Sequence, residues 1–563
     1  MKIPFARHTR KLAVALSLIA GSSIVVPATV APVRAAERIQ FFVGPFEPTI
    51  YVDDLETFAD TGEIPDRLKP IVNRFNDEQK ERLQVLLNAQ YELSPIPVAQ
   101  FTYSTLGENL LEKLGQVVQT DSFLNGMKGM RAALILAADD ESQGGLTVLN
   151  VMRHFPLQTI QIDFSLVREI VVENEQIFMR RDNVVSEIEQ FAQTQSVQYQ
   201  AIGGVAPDTD SDPRQAGDHT WQVETISFQT PGRSEASLAD IYLPDAVLES
   251  ADELAENVSD QNTPVVVISH GVASTRNTLA YMAEHLASHG YAVIAIEHTE
   301  TSAEKFSRFL WGKERAPGGQ ELLLRPRDIT AVLDHLSDRR ATGDLALSGL
   351  NLTSVGLLGQ SLGGYTVLAA GGAAIDQAFL AEACQSSLAE RPTLNLSMLT
   401  QCTLLELPPD TPMAVADERV AAVVALNPLT SSIFGMSGLQ EIEIPVMMMA
   451  GSDDYVAPAL PEQIEPFDWL TTEHKKLVVM EKGTHFSFLD RNSRSVLPFS
   501  DQLTGPDPMA AREPTRALGL SFFNRHLQRQ AEAEQFLTQS YLDGFPKEPF
   551  EFSVVDSLPP AAQ

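Results

Sequence analysis

The spacing of apolar residues divides this chain into two patterns. Up to about residue 165, apolar positions recur every three or four residues, as Leu110, Leu111 and Leu114 do, and this spacing predicts helices with one buried face. Residues 37–165 are therefore predicted to form a small, mainly helical domain. Short β-rich segments frame its helices, and the last is expected to pair with the first: 39–43, 49–52 and 160–162.

Capping signals predict where the first helices of this domain begin and end. Asp53 is followed three positions later by Glu56, which is the spacing of a capping box, and Gly62 is expected to end that helix. Asn76 and Gln79 repeat the spacing before the next helix. Both helices should therefore start at a side-chain cap.

After residue 165 the pattern changes. Residues 166–220 are predicted to form a long amphipathic helix and a linker rich in Pro and Asp. From Val223 onward, continuous apolar runs alternate with helical segments, which is typical of strands buried on both faces of a mostly parallel sheet. This pattern predicts an α/β domain over 221–535 and leaves 536–563 as a C-terminal tail. The buried strands are predicted at 265–268, 292–296, 355–358, 420–426, 446–450 and 477–480.

Residues 1–36 have the layout of a secretory signal peptide. Basic residues without any acid precede an apolar run, 12–26, and a small-residue cleavage site follows at Val33–Ala35. The run is about 15 residues long, whereas a membrane-spanning helix needs roughly 20. We therefore expect export to the periplasm or the medium, with no membrane span left after cleavage. The alternative is an uncleaved membrane anchor.

The chain is strongly acidic, with 74 Asp and Glu against 41 Lys and Arg and a formal net charge of -33. A surface of this sign repels phosphate backbones and anionic membranes. Nucleic acid is therefore not expected as a partner, and a lipid substrate should be neutral or zwitterionic. The oligomeric state stays open at this stage.

The two cysteines of the chain, Cys384 and Cys402, lie 18 positions apart. In an exported protein, an even pair within one loop-rich segment predicts a disulfide. The alternative is two buried free thiols. Because no Cys or His cluster lies nearby, no metal site is predicted, and no cofactor is expected.

The strongest chemical signal is the motif G-x-S-x-G around Ser361, which follows an apolar strand and precedes a helical run. A serine on a sharp strand-to-helix turn adopts strained backbone angles, and the flanking Gly359 and Gly363 leave space for the neighbouring strand and helix. This nucleophile elbow predicts Ser361 as the nucleophile of an α/β-hydrolase fold.

In that fold the nucleophile is followed along the chain by an acid and then by a histidine. Asp454 follows the strand that ends at Ala450, and His485 follows the strand that ends at Met480. We therefore predict Asp454 as the triad acid and His485 as the base, with Asp453 as the alternative acid.

Backbone N–H groups must donate hydrogen bonds to the carbonyl oxygen, on which negative charge develops during ester hydrolysis. The donors are predicted at Leu362, where the elbow helix starts, and at Val272, in the loop after the strand 265–268. His270 is expected to support that loop and, with His298, to contribute to substrate binding. His298 ends a strand on the same edge of the sheet and is expected to form a wall of the site, because as a base it would break the chain order.

Short motifs carry a family resemblance: Ser269–Gly271 with Arg276, Glu297–His298, Arg325–Asp328 and Gly359–Gly364. Together they are similar to the platelet-activating factor acetylhydrolase family of α/β-hydrolases, over about residues 221–530. Residues 37–165 resemble the domain of unknown function that precedes such hydrolases in exported cyanobacterial proteins. The resemblance implies a serine esterase that acts without a metal on short acyl esters, phospholipids included. Gln360, where the animal enzymes usually carry histidine, is then expected to bind substrate.

An insertion, 372–418, follows the elbow helix at the place where lids commonly sit in this fold. Its leucines, among them Leu394, Leu396 and Leu404, provide apolar surface for covering an acyl pocket, and we predict a lid. The alternative is an excursion that packs on its own sheet.

The sequence therefore predicts a secreted serine carboxylester hydrolase, esterase-like or lipase-like, that forms an acyl-enzyme on a small-molecule or lipid ester. A serine peptidase and a polyester or dienelactone hydrolase are alternatives, since the same triad serves all of them. A further alternative is a non-enzymatic scaffold in which the helical domain binds a partner and the hydrolase domain is vestigial.

Overall fold

The computed structural model describes residues 36–42, 48–143, 145–201, 212–245, 247, 262–390, 395–490 and 504–560. The predicted signal peptide up to residue 35 and residues 202–211 of the predicted linker lie outside the described residues. The strands are β1 (Arg38–Phe41), β2 (Thr49–Tyr51), β3 (Gln90–Tyr91), β4 (Val118–Gln119), β5 (Leu146–Thr147), β6 (Thr159–Ile162), β7 (Trp221–Phe228), β8 (Ser237–Pro244), β9 (Thr263–Ser269), β10 (Ala292–Glu297), β11 (Leu350–Gln360), β12 (Val420–Leu426), β13 (Val446–Gly451), β14 (Lys475–Glu481) and β15 (Glu551–Val555). The helices are α1 (Val52–Thr61), α2 (Lys69–Val72), α3 (Asp77–Asn88), α4 (Pro95–Thr102), α5 (Thr105–Val117), α6 (Met127–Asp139), α7 (Val148–Arg153), α8 (Phe164–Ala201), α9 (Ala280–Ser288), α10 (Ala303–Leu310), α11 (Glu321–Ala341), α12 (Leu362–Ala370), α13 (Gln377–Gln385), α14 (Leu396–Cys402), α15 (Ser431–Leu439), α16 (Glu465–Trp469), α17 (Met509–His526) and α18 (Gln539–Leu542).

One large sheet forms the centre of the described chain. It has nine strands among the described residues, in the order β15-β14-β13-β12-β11-β9-β10-β8-β7. Neighbours from β14 through β10 are parallel, whereas β15, β8 and β7 pair antiparallel at the edges. Successive residues of β9, Val265 and Val266, belong to separate cores on the two faces of the sheet. Strands buried on both faces of a sheet must be apolar throughout. The strand order and pairing confirm the predicted α/β-hydrolase fold class.

A small second sheet organises the N-terminal part. Its strands have the order β2-β1-β6-β4 among the described residues, and Ile39 of β1 lies opposite Ile160 of β6 in parallel pairing, as predicted. Parallel strands need a long crossover between them, and helices α1 to α7 lie within this connection. The apolar faces of these helices enclose two small cores.

One of the two predicted capping boxes is present. Asn76 accepts a hydrogen bond from the N–H of Gln79, whose side chain in turn accepts one from the N–H of Asn76. The box at Asp53 is wrong, because α1 starts after Tyr51 without a side-chain cap and Asp53 lies inside its first turn. There its carboxylate forms an ion pair with Arg153 of α7 instead.

Helix α8 belongs to the α/β core as well as to the connection between the two parts. Near its middle and C-terminal end, Val184, Ile188 and Ala192 are buried in the larger core of the α/β domain. The helix also contacts β15 and α18. None of the helices in the described part of the chain is both long and apolar enough to cross a bilayer.

The predicted C-terminal tail is wrong, because its residues complete the central sheet. Strand β15 pairs antiparallel with β14, and Phe552 and Val554 are buried in the core on one face. A five-residue strand at a sheet edge carries too little periodicity to be separated from a tail by its sequence alone.

The insertion after α12 is packed on the α/β domain. The predicted disulfide between Cys384 and Cys402 is present and joins α13 to α14. Leu404, predicted as part of an apolar cover, is instead buried in the larger core, as the alternative of a packed excursion expects. Leu394 lies outside the described residues, and Leu396 is partly exposed.

A buried carboxylate ties this insertion to the sheet. Glu462 is fully buried and accepts hydrogen bonds from Ser397 at 2.7 Å and from Gln401 at 3.2 Å, both on α14. It also accepts one from the backbone N–H of Thr430 at 2.8 Å, just before α15. Charge-assisted hydrogen bonds of this kind are stronger than neutral ones, and they hold the insertion in one position.

Replacing Ile188 with alanine is expected to lower the free energy of unfolding by about 2–5 kcal/mol, because the change opens a cavity in the core of the α/β domain. Urea denaturation followed by circular dichroism measures this loss. Val197→Ala on the same helix is the matched control, since Val197 is 66% exposed. Equally small effects of both substitutions would contradict the packing of α8 on this core.

Candidate active site

Ser361 lies on a sharp turn between β11 and α12. Its backbone angles are φ 58° and ψ -122°, in a region that residues with side chains rarely occupy and that costs about 1–3 kcal/mol. Space around the turn is equally restricted. A Cβ atom on Gly359 would lie 2.2 Å from the carbonyl oxygen of Gly363, and one on Gly363 would lie 2.1 Å from that of Ser269. Both glycines of the motif are therefore required by close backbone contact.

Three side chains from distant parts of the chain meet at this turn. The Oγ of Ser361 lies 2.8 Å from Nε2 of His485, and Nδ1 of His485 lies 2.6 Å from Oδ2 of Asp454. All three residues are buried. The hydrogen bond to the carboxylate keeps the proton of a neutral His485 on Nδ1, which leaves Nε2 free to accept the serine proton.

The adjacent carboxylates Asp454 and Asp453 have different surroundings. The second oxygen of Asp454 accepts the backbone N–H groups of Val456 and Ala457, both at 2.8 Å, so this side chain is held on both sides. Asp453 is more exposed and forms an ion pair with Arg181 of α8 at 3.3 Å. Asp454, not Asp453, contacts His485.

The loops that carry Asp454 and His485 are joined by buried amides. Asn427, just after β12, accepts the N–H of Gly451 at 2.8 Å and donates to the carbonyl of Thr484 at 3.1 Å. Gln360 donates to the carbonyl of His485 at 3.0 Å and is 2% exposed. The assignment of Gln360 to substrate binding is therefore wrong, because its amide is turned toward the loop of the base.

Two backbone segments approach Ser361 where the oxyanion donors were predicted. Leu362 is the first residue of α12, and the first N–H groups of a helix have no acceptor within the helix. The loop after β9 passes close to the elbow, since a Cβ on Gly271 would lie 3.2 Å from Cβ of Ser361. Val272 follows in this loop, and it lines one cavity together with Leu362.

The loop after β9 is held by the buried guanidinium of Arg325 on α11. Arg325 is fully buried and donates hydrogen bonds to the backbone carbonyl of His270 and to the hydroxyls of Thr301 and Thr366. Thr366 lies on α12, directly behind the nucleophile. One side chain thus joins three segments: the loop after β9, the turn after β10 and the elbow helix.

His270 and His298 support this loop from the interior of the protein, and neither side chain reaches the site. The backbone N–H of His298 donates to Nε2 of His270 at 3.0 Å, while Nδ1 of His270 lies 2.6 Å from the carbonyl oxygen of Gly271. His298 is fully buried, with Nδ1 2.7 Å from a carboxylate oxygen of Asp328 and Nε2 2.8 Å from the hydroxyl of Ser269. The predicted support by His270 matches this arrangement, but the assignments of both histidines to substrate binding are wrong because neither is exposed.

Arg181, Arg325 and Asn427 were not predicted as parts of the site. Arg325 follows directly after Leu322–Leu324, and a charge within such an apolar helical segment is a signal that could have identified it. Asn427 and Arg181 carry no comparable signal, because each acts through contacts with residues far away in the sequence.

Comparison with known protein families agrees with the resemblance seen in the sequence. Residues 35–163 match the family model described as alpha/beta hydrolase of unknown function, and residues 244–330 match that of platelet-activating factor acetylhydrolase, isoform II. A search of curated proteins gave no match. The second match includes the loop after β9 and the start of α11 but ends before Ser361. The chain therefore has the α/β-hydrolase fold, and it is similar over one segment to platelet-activating factor acetylhydrolase isoform II and over another to alpha/beta hydrolases of unknown function.

Proposed function

We propose that this protein is an exported serine carboxylester hydrolase that acts through Ser361, His485 and Asp454. The observation that carries the proposal is the pair of hydrogen bonds, 2.6 and 2.8 Å long, that connects the carboxylate, the imidazole and the hydroxyl. A serine hydroxyl is a weak nucleophile until a base accepts its proton, and the imidazole needs a carboxylate to fix its tautomer. His485 lies within hydrogen-bond distance of both Ser361 and Asp454, which supports the proposal.

The reaction follows from this geometry. His485 accepts the proton of Ser361 as the oxygen attacks the ester carbonyl carbon, and Asp454 stabilises the imidazolium that forms. The tetrahedral intermediate collapses when the bond to the alcohol oxygen breaks and His485 returns the proton to that oxygen. Water then attacks the acyl-serine by the same proton transfers and releases the acid.

The N–H groups of Leu362 and Val272 are proposed to bind the oxygen that becomes negative in both steps. Such donors commonly lower the barrier by about 3–4 kcal/mol each, because they are oriented before the charge develops. The rigid support of both segments by Arg325 favours this role.

Export to the periplasm or the medium is part of the proposal. It is supported by the signal-like layout of residues 1–36 and by the disulfide between Cys384 and Cys402, since disulfides persist in oxidising compartments. The net charge of -33 favours a neutral or zwitterionic small-molecule or lipid ester over an anionic one.

A fluorophosphonate is expected to label Ser361, because an activated serine oxygen attacks phosphorus as it attacks an ester carbonyl. Mass spectrometry of the labelled protein locates the adduct. Ser361→Ala should remove both the label and the hydrolysis of p-nitrophenyl butyrate. Labelling of another residue, or of none, would count against the proposal.

Asp454→Asn is expected to lower kcat by about a thousand-fold or more, because the amide no longer fixes the tautomer and charge of His485. Steady-state kinetics on the same ester measures the loss. Asp453→Asn is the matched control and should retain most of the activity, since this carboxylate pairs with Arg181 instead. A similar loss in both variants would argue against Asp454 as the acid.

The burial of His298 links the stability of the fold to pH. Burial, aided by the positive charge of Arg325, lowers the pKa of His298 from 6.5 to about 3. In the unfolded chain this imidazole takes up a proton near its ordinary pKa of 6.5, whereas in the folded chain it does so only near the lowered pKa. Its contribution to stability is therefore present above about pH 6.5 and is lost as the pH falls toward 3.

The free energy of unfolding is accordingly expected to fall between about pH 7 and pH 4, and less steeply in His298→Gln than in the unsubstituted protein. The variant is expected to be less stable near neutral pH, because Asp328 loses a hydrogen bond. Urea denaturation at several pH values measures both curves. Parallel curves would show that His298 does not contribute to the pH dependence.

A further inference from the structure

A cavity lies beside Ser361 on the side of the predicted oxyanion donors; we call it the side cavity. Leu362 and Val272 line it, and its volume is about 80 Å³. His485 is not among the described residues that line it. Both predicted oxyanion donors line the cavity, whereas the alcohol oxygen must lie near His485 to receive its proton, so an acyl chain that extends away from His485 would enter the side cavity.

The walls of the side cavity are mostly apolar. Phe306 and Phe309 of α10 line it and are 8% and 4% exposed. The one carboxylate in its lining, Glu321, is paired with Arg233 at 3.0 Å, and the hydroxyl of Thr301 is bonded to Arg325. No unpaired cation therefore faces the cavity among its described lining residues, so a charged acyl group would find no counter-ion.

The N-terminal part of the chain supplies one wall. Phe101 at the end of α4 and Leu106 at the start of α5 both line the side cavity. The corner between these helices is tight: the hydroxyl of Ser104 accepts the N–H of Gly107 at 3.2 Å. A Cβ on Gly107 would lie 2.0 Å from the carbonyl oxygen of Phe101. This close packing keeps Leu106 in one position.

Contacts on both sides hold this corner against the α/β domain. Helix α4 contacts α10, and a Cβ on Gly312 would lie 3.2 Å from the amide nitrogen of Gln100. The insertion also borders the side cavity, since its Thr400 and Thr403 are among the lining residues. A Cβ on Gly319 would lie 1.9 Å from the carbonyl oxygen of Thr403, so the insertion is in direct backbone contact with the segment before α11.

We propose that the side cavity binds the acyl chain of the ester and that the N-terminal domain, through Leu106, limits the length of chain that the enzyme accepts. The proposal rests on the proposed function of Ser361. The ligand class is an uncharged aliphatic acyl group, because the walls are apolar and lack a free charge. The N-terminal domain is thus a specificity-determining part of the site.

The test compares kcat/KM for p-nitrophenyl acetate, butyrate and octanoate in the full chain. Leu106→Trp fills the cavity and is expected to lower the ratio of octanoate to acetate by about ten-fold or more, since an acetyl group does not extend to this wall. Leu106→Ala enlarges the cavity and is expected to shift the acyl length of highest kcat/KM toward longer chains. If Leu106→Trp does not fold, the acyl-length profile of Leu106→Ala alone tests the proposal.

Leu86→Trp is the matched control, because Leu86 belongs to the same N-terminal domain and is 53% exposed. This variant should leave the acyl-length profile unchanged. Labelling of Ser361 by a small fluorophosphonate tests the triad separately. If Ser361 is labelled but the Leu106 variants keep the original profile, the role of the N-terminal domain is overturned and the esterase proposal stands. If Ser361 is not labelled in the unsubstituted protein, both proposals fall.

Discussion

The arrangement around the nucleophile depends on the buried guanidinium of Arg325. The loop after β9 and the first turn of α12 come from separate parts of the chain, and each presents backbone N–H groups that a flexible loop would not hold in place. Arg325 bonds to both segments and to the turn after β10. Glu321 and Asp328 on the same helix favour its charge electrostatically, but both form their ion pairs with Arg233, and burial lowers the pKa of Arg325 to about 9. A buried charge without such partners would be strongly destabilising.

Three further parts of the chain complete the site around this centre. Helix α8 contributes Arg181, which binds the loop of the acid. The insertion is held by Glu462 and borders the side cavity. The α4–α5 corner of the N-terminal part forms the opposite wall. The hydrolase motifs lie between residues 265 and 485, but segments that begin before residue 110 also line the cavity. The α/β segment alone therefore does not define the cavity.

Local sequence was informative wherever local geometry decides structure. The contact between Gly359 and Gly363 lies within the G-x-S-x-G motif, and the capping box at Asn76 closes within one helical turn. His298 shows where such reasoning fails. Its position at the end of β10 is correct, but whether its ring faces the site or the interior depends on Asp328, 30 residues later. Gln360 fails for the same reason, since its partner is the backbone of His485.

By itself, the sequence determined the fold class, the disulfide pair, the elbow and the chain order of the residues that meet at Ser361, because these follow from burial patterns and from short motifs. Only the tertiary structure decided that Asp454 rather than Asp453 contacts the imidazole, that the last residues form an edge strand, and that Leu106 borders the side cavity. Each of these depends on contacts between residues far apart in the chain, and hydrophobic periodicity carries no information about such partners.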